Sequence, residues 1–203
     1  MKQKNTNKNM VDVLERIKQE QLLALKPLKF AVNEICNCLI AKHEVAAFTL
    51  TNYLFEASLK LTLIYWESGG KLIENINDFE SLYRNGTKKY LAKDVYKAIG
   101  SAKRSEIITE EEGKELLFFL HHYRDPFSHA SNNSEINESK VISFDDSMIN
   151  KTITVNGNPL LYFNYQERYM RNSAHRYFFK LYSYIKKWDG MICELREKAN
   201  YTK

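Results

Sequence analysis

Within the segment Arg124-Asp125-Pro126-Phe127-Ser128-His129, the chain sets a guanidinium, a carboxylate and an imidazole close together. An arginine fork can grip two phosphate oxygens, and imidazole transfers protons near neutral pH. Arg124 follows the strongly apolar run Leu116 to Leu120, and Pro126 disfavours continued helix at Asp125, so a turn is predicted there. Asp125 then suits the N-cap of a following helix and Pro126 its first residue, with His129 about one turn in. On this reading Arg124 and His129 converge at a helix junction whose free amides attract anions. Asp125 carries two readings of equal weight: it polarises or positions His129, or it caps the helix.

A second set of polar residues stands where apolar ones are expected. Asn52, Glu56 and Lys60 recur at spacings of four, beside Phe48, Phe55, Leu59 and Leu63. At helical periodicity these three drift only slowly around the axis, so they share a face that is otherwise apolar. An unpaired carboxylate there is costly. Glu56 therefore pairs with Lys60 or with Arg124, or the row faces a cleft.

Together these residues resemble HEPN domains. Arg124-Asp125-x-x-x-His129 resembles the family's ribonuclease motif, an arginine, a polar residue, and a histidine after four to six intervening positions. Asn52, Glu56 and Lys60 match a polar, acidic and basic row that many members carry on an upstream helix. The resemblance covers roughly residues 30 to 130 and the last helix. It implies an all-helical bundle and metal-independent RNA cleavage, in which the ribose 2′-hydroxyl attacks the adjacent phosphate and leaves a cyclic phosphate. Arg124 would stabilise charge on the phosphate oxygens and His129 would move a proton at the attacking or leaving oxygen. Glu56 would orient Arg124. It further implies a homodimer joining two copies of the motif, RNA as partner, no cofactor, and a toxin or phage-defence role with a possible antitoxin protein. Asp125 stands where the family more often has asparagine. An inactive HEPN module that binds nucleic acid or a partner protein uses the same residues, and a purely structural helical dimer is a third reading.

The elements that must position these residues are legible in outline. Residues 1–9 read as a flexible lead to a single domain over 10–203. Helix-compatible spacing covers Val11 to Leu25 and Leu28 to Ile40, with Pro27 at the joint. A long helix is predicted from about His43 to Ser68, stopped by Gly69-Gly70. Shorter helices are predicted at Asp78 to Tyr83 and at Lys88 to Ile99, the latter ended by Gly100. Thr109-Glu110-Glu111-Glu112 reads as a capping box opening a helix to about Arg124. His121 and His122 lie on it, and one of them is a candidate for the same cleft. Residues 131–140 read as a solvated loop. Val141 to Phe144, Thr152 to Val155 and Leu160 to Phe163 read as strands of an inserted hairpin over about 141–163, turned by Asn156-Gly157. From about Gln166 to Ala199 a last helix carries Phe178, Leu181, Ile185, Trp188, Ile192 and Leu195 on one seam, for a bundle or a dimer. The expected fold is mainly α, a HEPN-like up-down bundle with a small inserted hairpin.

Bulk properties remove several function classes. The chain has 203 residues, 44% hydrophobic, with only 7 glycines and 3 prolines, enough for one helical core. Its net charge of +5 is compatible with a polyanion. Three cysteines cannot all pair, no zinc spacing is present, and free thiols suit a reducing cytoplasm. The most hydrophobic stretch, Val45 to Trp66, is interrupted by Glu56 and Lys60, so neither a membrane span nor an export signal is predicted. Asp145-Asp146 and Glu110 to Glu112 lack a matching acidic cluster for two metals, and no phosphate-binding glycine loop or nucleophile elbow occurs. Arg168, Arg171-Asn172 and His175 repeat the arginine–histidine pattern, and surface helix residues account for them.

Overall fold

The computed structural model describes residues 2–71, 76–125 and 159–201, and these are almost wholly helical. The helices are α1 (Lys2–Gln19), α2 (Lys29–Ile40), α3 (Glu44–Glu67), α4 (Ile76–Tyr90), α5 (Val95–Arg104), α6 (Glu110–Phe119) and α7 (Pro159–Tyr201). A 3₁₀ turn at Lys26–Leu28 precedes α2, and α6 runs on through a π turn at Leu120–Arg124. The mainly helical expectation holds.

α3 is the hub. It is flanked by α7, α2, α4 and α5, and α7 lies along it most extensively. The reason is in its sequence: Phe48, Leu54, Phe55, Leu59 and Leu63 leave almost no surface on several sides of the helix, and all are buried. Phe178, Leu181, Ile185, Trp188 and Ile192 of α7 are buried as well and Leu195 is half-buried, so most of the α7 seam packs within the chain. Asp189, next to Trp188 and itself 8% exposed, accepts backbone N–H bonds from Leu23, Ala24 and Leu25 at 3.0, 2.8 and 2.6 Å. One buried carboxylate thus satisfies the amides of the loop between α1 and α2, and ties that loop to α7.

Several boundaries differ from expectation for identifiable reasons. The backbone of α1 is helical from Lys2, so residues 2–9 of the expected lead belong to a helix; lysine and glutamine are good helix formers even without an apolar face. α1 stops at Gln19, short of the predicted Leu25, because the following loop is held by Asp189. α5 runs past Gly100 to Arg104, starting from Asp94, whose side chain accepts the Tyr96 N–H at 2.8 Å. Leu160 to Phe163, read as a strand, lie in the first turns of α7. Pro159 is its first residue, where a proline's missing N–H costs nothing, and no breaker separates that run from the body of the helix. The other two runs of the inserted hairpin, Val141 to Phe144 and Thr152 to Val155, fall outside the described residues, as does the 131–140 loop. Among the described residues there is no strand.

α3 begins and ends as predicted, with Gly69 and Gly70 at φ +68° and +67° after it. The capping box of α6 is present: the Thr109 hydroxyl accepts the Glu112 N–H at 3.2 Å, and the Glu112 carboxylate accepts the Thr109 N–H at 2.9 Å.

Candidate active site

Three helices bring the polar residues together: α3 carries the Asn52–Glu56–Lys60 row, the end of α6 carries Arg124, and α5 contributes Tyr96. The row on α3 resolves the alternatives left open for Glu56, because the carboxylate serves both cations. Oε1 accepts from Lys60 Nζ at 2.7 Å and Oε2 from the Arg124 guanidinium at 3.2 Å. Lys60, 9% exposed, spends a second proton on the Leu91 carbonyl at 2.8 Å, so its burial leaves it well bonded.

Asn52 works at the other end of the row. Its Nδ2 donates to the Tyr123 carbonyl at 3.2 Å, while its Oδ1 accepts from the Tyr177 hydroxyl at 2.9 Å. Asn52 thus fixes the backbone beside Arg124 and is itself fixed by α7. Behind it, the Tyr123 and Tyr177 rings stack at 4.6 Å, and Phe48 and Phe119 close around Tyr177. Burial pushes the Tyr177 hydroxyl far above its ordinary pKa, so it is a donor at any physiological pH.

The π turn decides which side chains share the arginine's side. Asp125 has φ −62° and ψ −40°, and its N–H bonds the Leu120 carbonyl, five residues back. The helix therefore continues through Asp125, which does not take the extended backbone of an N-cap although a proline follows it. Asp125 instead uses its side chain. Its Oδ1 accepts from Arg124 at 3.3 Å, and its Oδ2 accepts a hydrogen bond from the Tyr96 hydroxyl. Arg124 is thereby gripped between Glu56 and Asp125, with its side chain 25% exposed.

The two adjacent histidines part company. His121 comes to this cluster: its Nδ1 lies 3.3 Å from the Tyr96 hydroxyl and 3.8 Å from Asp125 Oδ2. His122 turns elsewhere, stacking on Phe118 with ring centres 3.8 Å apart and its Nδ1 3.0 Å from the Phe118 carbonyl. A carbonyl only accepts, so that nitrogen carries the proton. His129 lies outside the described residues.

Tyr96 is the member that sequence reasoning missed. Burial, together with its bond to the Asp125 carboxylate, raises its pKa to about 12. Its only signal was indirect, an aromatic residue just inside a helix capped by Asp94. Tyr177 and Asp189 were missed too, the latter being the one acidic residue within the apolar seam of α7. The second arginine–histidine pattern is committed to surface pairs: Arg171 bonds Glu167 at 2.8 Å and Glu44 at 3.3 Å. His175 is held below its usual pKa by burial.

Among the described residues no group of histidine, cysteine, aspartate or glutamate is arranged to hold a metal ion. Nor is any helix there long and apolar enough to cross a membrane. The cysteines Cys36, Cys38 and Cys193 are all free, and burial pushes the Cys36 thiol up to about 12. Comparison of the chain with protein-family models, with curated proteins and with solved structures gives no match.

Proposed function

We propose that this chain is a HEPN-type endoribonuclease, cleaving RNA without a metal by attack of a ribose 2′-hydroxyl on the adjacent phosphate, with a cyclic phosphate as product. The observation that carries the reading is the setting of Arg124. A guanidinium at the end of an apolar helix is held from two sides by carboxylates of Glu56 and Asp125, yet keeps part of its side chain in solvent. A cation fixed in this way is preorganised for charge that develops on phosphate oxygens. His129 enters by its place in the sequence, as the group that moves a proton. One arginine and one imidazole are few for such a reaction, so the reading includes a homodimer that pairs two motifs. A toxin or phage-defence role, with a neutralising antitoxin protein, belongs to the same proposal.

The test is RNA cleavage in the presence of EDTA by the parent, Arg124→Ala and His129→Ala. The parent should release fragments ending in a cyclic phosphate, and each variant should lose at least about 100-fold in rate. Cleavage that survives both substitutions removes the reading.

A second reading, an inactive HEPN module that binds nucleic acid or a partner protein, is favoured by one detail. Two carboxylates already occupy the Arg124 guanidinium and oppose an incoming phosphate. On that reading RNA binds, with affinity falling as salt rises, and is not cut.

A further inference from the structure

We infer that His121 is a second proton-transfer residue of this site, taking the proton from the attacking 2′-hydroxyl, and that Tyr96 and Asp125 position it. The inference rests on the ribonuclease reading and adds a residue that the Arg124–His129 motif does not contain.

The hydrogen-bond order leads to it. A tyrosine hydroxyl has one proton, and that of Tyr96 goes to Asp125 Oδ2. Toward His121 Nδ1, at 3.3 Å, the Tyr96 oxygen can then only accept, so the ring proton sits on Nδ1. Nε2 becomes the basic nitrogen of a ring whose side chain is 60% exposed. This is the arrangement of a general base: one nitrogen fixed through a chain that ends on a carboxylate, the other available. The tilted contact of the two rings, with centres 5.5 Å apart, holds the imidazole in place.

Asp125 also sets His121 close to Arg124. One carboxylate receives the guanidinium on Oδ1 at 3.3 Å and lies 3.8 Å from the imidazole through Oδ2. The two groups are therefore separated by no more than those contacts and the width of a carboxylate. Among the described residues the titratable groups that His121 meets are Tyr96 from α5 and Asp125 from its own helix; Asp125 in turn binds Arg124, which binds Glu56 of α3.

In the cleavage step, Nε2 of neutral His121 accepts the 2′-hydroxyl proton while the 2′-oxygen bonds to phosphorus and the bond from phosphorus to the 5′-oxygen breaks. The 5′-oxygen leaves with a proton taken from solvent water, and the imidazolium formed at His121 is offset by Asp125 through Tyr96. The product is the cyclic phosphate.

Three measurements on the full-length protein test this: RNA cleavage in EDTA across pH, ring-nitrogen NMR shifts of His121, and thermal midpoints as a fold control. His121→Ala and His121→Gln should lose at least about 100-fold in kcat with unchanged midpoints, and the rising limb of kcat/KM against pH should disappear. The parent should show His121 with its proton on Nδ1, and Tyr96→Phe should abolish that preference and slow cleavage. If the parent cuts RNA and both His121 variants match it, the inference is wrong and the ribonuclease reading survives. A His121 proton found on Nε2, or unmoved by Tyr96→Phe, also overturns it. A parent that cuts no RNA overturns the ribonuclease reading and the inference with it.

Discussion

Glu56 divides one carboxylate between two cations of unequal burial, and that division predicts an order of effects. Glu56→Gln leaves the buried Lys60 ammonium with neutral acceptors only, an amide oxygen and the Leu91 carbonyl, and weakens one support of Arg124. It should cost about 1–3 kcal/mol in urea unfolding, toward the lower end because the Glu56 side chain is 32% exposed. Lys60→Met removes the buried charge itself and leaves Glu56 its arginine, so it should cost less. The opposite order would mean that the ammonium, not the carboxylate, organises the row. At this scale the sequence revealed the odd residues but not their pairing. Asn52, Glu56 and Lys60 stand out because polar side chains interrupt an apolar face, whereas Tyr96 and Tyr177 are indistinguishable from ordinary core aromatics until their hydroxyl partners are known. Those partners lie on other helices, and no local rule specifies them.

Among the elements, the two glycine positions that bracket α7's packing should respond in opposite directions. Gly190 lies inside α7, and a Cβ there would meet nothing within 4 Å. Gly190→Ala should therefore stabilise by about 0.5–1 kcal/mol, since glycine loses more backbone freedom in a helix than alanine does. Gly70 has φ +67°, and its Cβ would come within 3.0 Å of Arg196 Cγ and 3.1 Å of the Arg196 backbone nitrogen. Gly70→Ala should lower the urea midpoint by more than about 1 kcal/mol in stability. If both shift the same way, local backbone conformation is not what these glycines provide. Element boundaries were legible where strong local chemistry sets them, as at the capping box of α6 and the glycine stop of α3. They were misread where tertiary contact prevails. α1 ends early because Asp189 claims the next amides, and Asp125 stays helical with its N–H held by the Leu120 carbonyl.

For the molecule as a whole, the buried and hydrogen-bonded tyrosines set the alkaline limit. Tyr96 is raised from 10.0 to about 12, with burial the largest cause. Tyr182 and Tyr184 are raised too, first by burial and then by their bonds to Glu20 and Glu115. The folded state holds these protons more tightly than the unfolded chain, so the stabilisation is complete below the ordinary value and is lost as pH climbs through the window above it. The urea midpoint should fall between pH 10.0 and about 12, and Tyr96→Phe should flatten part of that fall. On the acid side Glu20 is lowered chiefly by its bond to Lys186, and Glu67 by its bond to Lys89. Their contribution is lost as pH drops below 4.5.

Asp189 and Tyr177 both reach back to the first third of the chain, one to the loop before α2 and the other to Asn52. A ribosome releases the amino end first, so these two groups emerge well after the segments they hold. Until they do, α3 lacks its largest cover and the carbonyl clamp beside Arg124 is unfinished. A nascent chain stalled before this helix therefore carries Arg124 without the Asn52–Tyr177 support, and that support forms only once α7 has been made.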